Sequence, residues 1–188
     1  MVNSFYFYDL ETSGISPRSG RIMQFAGIRT DSSLKPIGIT EAEFASYFMN
    51  EICRPGTIFV GFNNVRFDDE FIRHTLYRNF YDAYEWCWKD SRSRWDILDV
   101  VRMTRALRPD GINWPFAPDG KPANRLELLT SVNKLDHKHA HDALSDVEAT
   151  IAVSRLIRNK QTKLFDYLLS LRDKNKVKTA ISLILLLS

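Results

Sequence analysis

The segment from Phe5 to Gly14 limits the folds open to this chain more than any other. It reads Phe-Tyr-Phe-Tyr-Asp-Leu-Glu-Thr-Ser-Gly, so aromatic residues that favour a strand are followed by residues typical of a turn. Because strand side chains alternate between faces, Asp9 and Glu11 are predicted to project together, on the side of Phe5 and Phe7. Two carboxylates held so close repel, and a divalent cation would offset the repulsion. In the simpler alternative, both acids lie in a solvated turn.

After this first strand, the spacing of hydrophobic residues predicts a mixture of strands and helices. Further strands are predicted at residues 21–30, 34–39 and 57–62, and helices at residues 41–53, 66–80, 96–107, 125–133, 141–159 and 163–178. The apolar run at 57–62 is typical of a buried strand parallel to the first, reached through a helix by a right-handed crossover. The fold class is therefore α/β, with ligands expected at the carboxyl ends of the strands.

Two predicted helices each carry an acid on their inward face. Asp68 shares its stripe with Phe71, Ile72 and Thr75, and Asp146 lines up with Ala149, Val153 and Ile157. An unpaired charge facing the core is unfavourable, so both acids are expected to meet a partner. Asp69 and Glu70 fall on other faces and are predicted to be solvated first-turn acids that suit the helix dipole. The alternative for Asp68 is that it too is a solvated acid in the first turn of its helix.

Asp9, Glu11, Asp68 and Asp146 together form an all-oxygen ligand set that suits Mg²⁺, with Mn²⁺ as a substitute. Two such ions about 4 Å apart can clamp the attacking and leaving oxygens of a phosphodiester. His141 lies five residues before Asp146, and a neutral imidazole there could take a proton from the attacking water. Taken alone, His141 would more often be a structural histidine. His137 and His139 are predicted to lie on the surface.

Composition permits a polyanionic partner without requiring one, since the formal net charge is only +3. The length of 188 residues is accounted for by one domain, with a core at about 4–175. Cys53 and Cys87 have no ligand-like spacing and fit a reducing compartment, so we expect a cytoplasmic monomer without a leader segment. The apolar tail at 180–188 is too short to span a bilayer, so no membrane association is expected.

Longer blocks of sequence carry a specific resemblance. They are Tyr8-Asp-Leu-Glu-Thr12, Gly61-Phe-Asn-Asn-Val-Arg-Phe-Asp-Asp-Glu70, Tyr77-Arg-Asn-Phe-Tyr-Asp82, Arg94-Trp-Asp-Ile-Leu-Asp99, Leu107-Arg-Pro-Asp-Gly-Ile-Asn-Trp-Pro115 and Ala140-His-Asp-Ala-Leu-Ser-Asp146. With Asp-x-Glu, a second Asp and His-x4-Asp, the chain resembles the metal-dependent 3′-to-5′ exonucleases of the proofreading superfamily. Within them it is most similar to the N-terminal nuclease domain of the bacterial exonuclease I family, over residues 4–175.

The resemblance implies a ribonuclease-H-like mixed central sheet flanked by helices, and release of 5′-mononucleotides from the 3′ end of single-stranded DNA. It implies two Mg²⁺ ions on Asp9, Glu11, Asp68 and Asp146, with His141 as the base. Single-strand-binding protein is implied as a further partner. The implied substrate contacts are Glu11, Arg125, Arg73, Tyr84, Trp88 and Arg102.

The residues themselves also favour a contact with single-stranded nucleic acid. Arginines interleaved with aromatic side chains offer a charged track for phosphates and flat faces for bases. Large aromatic residues also pack in hydrophobic cores, so each tryptophan of the predicted loop at 81–95 is expected either to contact bases or to be buried. We expect Trp88 to be exposed, and Trp86 and Trp95 to be buried.

The chain departs from the family after Ile39, where some thirty residues that complete the third strand are missing, so that strand is expected to be shortened. A shortened edge strand puts substrate positioning in doubt. The family's SH3-like and C-terminal helical domains are also absent from this sequence, so processivity should be weak. Two alternatives remain: an exonuclease of RNA 3′ ends, or a catalytically impaired nucleic-acid-binding module.

Overall fold

Four strands and helices on both of their faces make up the fold in the computed structural model, which describes residues 5–30, 41–136 and 142–187. The strands are β1 (Phe5–Thr12), β2 (Ile22–Thr30), β3 (Ile58–Gly61) and β4 (Ser93–Asp96). The helices are α1 (Glu41–Tyr47, continued by a π-helical turn at Phe48–Ile52), α2 (Asp68–Arg78), α3 (Ile97–Leu107), α4 (Leu126–Val132), α5 (Ala143–Lys160), α6 (Thr162–Ser170) and α7 (Lys174–Leu187).

The strands lie in the order β2-β1-β3-β4, and the sheet is mixed. β1 pairs antiparallel with β2 and parallel with β3, and β3 pairs parallel with β4. The predicted parallel pairing of the two buried strands is therefore confirmed. Since β1, β3 and β4 run the same way, their carboxyl ends form one edge of the sheet, where Asp9 and Glu11 lie.

Alternating side chains of the central strands supply two cores, one on each face of the sheet. Phe7, Val60 and Trp95 pack on one face against residues of α3, α4, α5 and α6. Tyr8 and Phe59 belong to the other core, together with apolar residues of α1 and α2. The helices thus form layers on both sides of the sheet and leave its carboxyl edge as the place where polar side chains meet.

Two sequence predictions change in the structure. Strand β4 covers the end of the loop predicted at 81–95 and the first residue of the helix predicted at 96–107. The strand was not predicted because only Trp95 and Asp96 of its four residues are buried and no apolar alternation marks it. The single helix predicted at 163–178 is two helices, since α6 ends at Ser170 and the Asp173 carboxylate accepts a hydrogen bond from the Asn175 N–H at 2.8 Å as α7 begins. The predicted return strand at 34–39 lies outside the described residues.

The apolar residues near the end of the chain belong to α7, which continues to Leu187. Among the helices of the described ranges, none combines the length and apolarity that crossing a bilayer requires. The helix starts with basic residues and becomes apolar further along.

Candidate active site

The first component of the site is the carboxyl end of β1, where Asp9 is only partly accessible. Burial raises the pKa of Asp9 from 3.8 to about 7, and the nearby charges of Asp146 and Glu11 add to the rise. Its backbone neighbour Leu10 acts in the opposite direction, because the Leu10 N–H favours the charged form. The charges of Glu11 and Asp146 therefore lie close enough to Asp9 to disfavour its charged form.

Asp68, the first residue of α2, is the second component. Its side chain is buried, and burial followed by the charge of Asp9 raises its pKa well above the ordinary value. The Leu10 N–H favours the charged form of this carboxylate as it does that of Asp9. The Asp68 Oδ1 atom has no hydrogen-bond partner among the described residues. A buried carboxylate oxygen without a partner is destabilising unless a cation or another donor reaches it.

A cleft of about 290 Å³ brings the remaining parts together, and we call it the acidic cleft. Asp9, Asp146 and Arg125 all line it, along with residues of α4 and the loop after β3. Asp146 is held in the first turn of α5, whose start is fixed by the Asp142 carboxylate accepting from the Ser145 N–H at 3.1 Å. Arg125 precedes α4, is exposed, and pairs with Glu127.

The loop after β3 is shaped by close backbone approach. A Cβ atom at Gly61 would lie 2.6 Å from the Cβ of Asn64, so no larger residue fits there without a shift. Asn63 adopts a φ of 68°, a left-handed conformation that asparagine tolerates better than most residues. Its N–H donates to the Asp96 carboxylate at 2.8 Å, which ties the end of β3 to the end of β4. Asn63 lines the acidic cleft, so this hydrogen bond fixes part of its lining.

The carboxylates of the acidic cleft suit a divalent metal ion by their chemistry. They offer only oxygen ligands, and burial raises the pKa of Asp9, which a cation would lower. Asp68, which does not line the cleft but whose charge is opposed by that of Asp9, also has a raised pKa and one oxygen without a partner among the described residues. Within residues 5–30, 41–136 and 142–187, no three His, Cys, Asp or Glu side chains are arranged closely enough to hold a metal as they stand. His141, the predicted base, lies outside the described residues.

The raised pKa of Asp9 predicts how stability depends on pH. Between the ordinary value of 3.8 and the folded value of about 7, the folded chain binds more protons than the unfolded chain. Raising the pH through this window therefore destabilises the metal-free protein. We expect its melting temperature in EDTA to fall from pH 5 to pH 8, and Mg²⁺ to reverse the fall at pH 8. Asp9→Asn should flatten the curve; an identical slope in this variant would contradict the assignment.

Asp69 was predicted to be solvated, and that prediction is wrong. Its side chain is fully buried. Its Oδ1 atom accepts hydrogen bonds from the Tyr8 hydroxyl and, at 3.4 Å, from the Asn64 side-chain amide, while Oδ2 pairs with the Arg94 guanidinium at 2.5 Å. Burial, together with the charges of Asp69 and Asp68, raises the pKa of Tyr8, so its hydroxyl stays protonated and donates. Glu70 is partly exposed and pairs with Arg73.

A groove of about 960 Å³ lies beside this network, and we call it the basic groove. Its cationic and aromatic lining residues are Arg73, Tyr84, Trp88, Arg92, Arg94, Arg172, Lys174 and Lys176. The Arg73 guanidinium stacks 5.3 Å from the centre of the Tyr84 ring. Trp88 is 62% exposed, whereas Trp86 is 0% and Trp95 8% exposed, which confirms the predicted division of the tryptophans.

Glu11 lines neither the acidic cleft nor the basic groove, and the same is true of another predicted substrate contact, Arg102. Arg102 lies on α3, where it pairs with Asp99 at 3.0 Å, and Asp99 also binds Arg66 at 3.1 Å. Its contact with a substrate stays a prediction. The sequence interpretation missed Arg94 as a structural partner of Asp69, because the four residues of β4 carry no alternating pattern that marks a strand.

The layered α/β fold, the acidic cleft at the carboxyl edge of its sheet and the basic groove on the same domain define the chain as a nuclease-like domain of the ribonuclease-H-like fold. Residues 41–154 match the model of the RNase T exonuclease family. Exodeoxyribonuclease I of Haemophilus influenzae is 42% identical over 212 aligned positions, and that of Escherichia coli K12 is 44% identical over 213; each match covers 95% of this chain and 45% of the relative. The chain belongs to the RNase T exonuclease family.

Solved structures agree with this assignment. Escherichia coli exonuclease I in complex with a dA16 oligonucleotide superposes with a TM-score of 0.89 at 44% identity, covering 94% of this chain and 45% of that one. An ExoI/SSB-Ct complex gives a TM-score of 0.87 at 41% identity, covering 96% and 46%. This chain thus spans somewhat less than half the length of these relatives. The alignment of 212 positions exceeds the 188 residues here, so at least 24 positions have no counterpart in this chain.

Proposed function

We propose that the chain is a metal-dependent exonuclease that removes 5′-mononucleotides from the 3′ end of single-stranded DNA. The observation that carries the proposal is the meeting at Asp9 of Glu11, Asp68 and Asp146, which come from one strand and two separate helices. A basic groove with exposed aromatic rings lies on the same domain. The relatives named exodeoxyribonuclease I, and the oligonucleotide bound to one of them, support DNA as the substrate.

In this proposal Asp9, Glu11, Asp68 and Asp146 hold two Mg²⁺ ions, which Mn²⁺ can replace. Exonucleases of this superfamily depend on divalent metal, and such ions supply charge stabilisation to a phosphodiester under attack. Arg125 is exposed and lines the acidic cleft, which supports its proposed role in binding a substrate phosphate. Glu11 is proposed to orient the terminal nucleotide. His141 takes the proton of the attacking water, since imidazole titrates near neutral pH.

The basic groove is proposed to carry the single strand toward the acidic cleft. Arg73 lies against Tyr84, and Trp88 presents an open face, so cationic and aromatic groups alternate along its wall. Such a wall binds any base sequence, because phosphates meet the cations while bases stack on the rings. Arg102, on α3, is proposed as an additional contact outside the groove.

Trp88→Ala is expected to weaken single-strand binding without unfolding the protein. Stacking of a base on an aromatic ring contributes about 1–3 kcal/mol, and the Trp88 ring is mostly exposed, so little packing is lost. Fluorescence anisotropy with a labelled oligonucleotide, in metal-free buffer, measures the affinity. Tyr77→Ala is the matched control, since Tyr77 is an exposed aromatic residue that does not line the groove. Equal losses in both variants would contradict the assignment.

The proposed function is tested with 5′-labelled substrates. Single-stranded DNA, single-stranded RNA and blunt duplex DNA are incubated with the protein in Mg²⁺ or in EDTA. A ladder that shortens from the 3′ end, from single-stranded DNA alone and only with metal, is the expected result. A ladder from RNA would favour the alternative substrate, because the acidic side chains do not distinguish the two sugars. Binding without any ladder would favour an impaired nucleic-acid-binding module and overturn the proposal.

Single-strand-binding protein is proposed as a partner, because a relative was solved as an ExoI/SSB-Ct complex. The proposed compartment is the cytoplasm: Cys53 and Cys87 are buried and form no disulfide with each other, which suits reducing conditions. We propose a monomer of low processivity, since nothing in the described part of the groove encloses a strand. Sedimentation and a trap experiment with excess unlabelled DNA test these two points.

A further inference from the structure

Two pairs of neighbouring residues meet behind the acidic cleft. Tyr8 directly precedes Asp9 on β1, and Asp69 directly follows Asp68 on α2. Since the Tyr8 hydroxyl donates to Asp69, this hydrogen bond joins the two backbone positions that carry proposed metal ligands. Tyr8 and Asp9 project to opposite faces of the strand, so the hydrogen bond of Tyr8 can set the spacing of the ligands although Tyr8 is not a ligand itself.

The start of α2 depends on the same link. The residue before the helix, Phe67, supplies no side-chain cap. Instead Asn64 holds Asp69 twice: its carbonyl accepts from the Asp69 N–H at 2.9 Å, and its side-chain amide donates to the Asp69 carboxylate. The first turn of α2, and with it Asp68, is therefore anchored through Asp69.

General stability does not explain a charged residue at this position. A buried ion pair such as Asp69 with Arg94 often contributes no more than a well-packed apolar pair of the same size. The charge of Asp69 also lies close enough to oppose that of Asp68. The buried charge of Asp69 thus disfavours the charge of Asp68, and its pairing with Arg94 adds little net stability to the fold. A role in positioning nearby groups would explain why the charge is there.

We infer that Asp69 is a positioning residue, which, held by Tyr8, Asn64 and Arg94, sets the carboxyl of Asp68 at the separation from Asp9 that a divalent cation needs. The inference rests on the proposed function of the acidic cleft. Arg94 also lines the basic groove, so the network connects the metal site with the proposed path of the strand.

The test uses Asp69→Asn and Tyr8→Phe, with Tyr6→Phe as the matched control. Tyr6 is a buried tyrosine on the same strand and face as Tyr8, two residues farther from Asp9. Calorimetric titration with Mn²⁺ alone, without DNA, gives the metal affinity. Loss of a residue that orients a metal ligand lowers affinity or activity about 10- to 100-fold, so we expect Mn²⁺ binding to weaken about 10-fold or more in both test variants. Tyr6→Phe should match the wild type.

Turnover supplies a second readout that a merely structural role would not move. With limiting metal, kcat should fall in both test variants and recover as metal is raised, while KM for single-stranded DNA stays unchanged. If Asp69→Asn fails to fold, Tyr8→Phe still tests the inference, because it removes only the hydroxyl that donates to Asp69. Mn²⁺ dissociation constants equal to the wild type in the folded variants would overturn the inference, whether or not the wild type degrades DNA. If the wild-type protein does not degrade DNA but both variants bind Mn²⁺ more weakly than it does, the proposed function is overturned and the inference stands.

Discussion

Asp9→Asn is expected to lower the rate of single-stranded DNA hydrolysis by about 1,000-fold. Asp9 is the carboxylate on which Glu11, Asp68 and Asp146 all converge electrostatically, so its loss should remove the metal from the position where charge develops. Metal coordination contributes several kcal/mol to a transition state of this kind, and about 4 kcal/mol corresponds to that factor. Single-turnover assays at saturating Mg²⁺ measure the effect.

The same substitution should stabilise the metal-free protein, which separates a lost function from a lost fold. Asparagine has nearly the shape of aspartate but carries no charge, so the repulsion from Glu11 and Asp146 disappears. Asp110→Asn is the matched control, since Asp110 is exposed and does not line the acidic cleft. An active and less stable Asp9→Asn variant would contradict the role given to this residue.

The first strand and its two acids were predictable because the information is local. The run of aromatic residues from Phe5 to Tyr8 favours a strand, and the strand period of two places Asp9 and Glu11 on one face. Asp68 and Asp146 followed from helical spacing against apolar neighbours. Each of these inferences needs only one element and its pattern. In the structure the charges of Asp68 and Asp146 lie close enough to Asp9 to repel it, and their role as joint metal ligands stays a prediction.

Asp69 could not be placed in this way, because its environment is made by residues distant in sequence. Its partners Tyr8 and Arg94 lie 61 and 25 positions away. On a helical wheel Asp69 falls off the apolar stripe, and a solvated acid is the ordinary expectation there. Burial of this charge depends on β4, a four-residue strand too short and too polar to be recognised by alternation. Pairings of this type become visible only when the sheet order is known.

His141→Ala is expected to lower the hydrolysis rate by about 100- to 10,000-fold, the range for loss of a general base. Helix α5 is capped by Asp142 and carries Asp146 in its first turn. His141 directly precedes that cap in the sequence, so its position in the chain is tied to the helix end that presents Asp146 to the acidic cleft. His139→Ala is the matched control, two residues away and predicted to lie on the surface.

The pH profile distinguishes a base from a residue that only packs. With a base of ordinary imidazole pKa, near 6.5, wild-type kcat should fall below about pH 6.5 as the imidazole is protonated. His141→Ala should lose this acidic limb, and added imidazole should restore part of the rate. Asp9 also titrates in this pH range when no metal is bound, because burial raises its pKa to about 7. Assays at saturating Mg²⁺ keep Asp9 charged, so a limb that persists unchanged in His141→Ala would assign the base to another group.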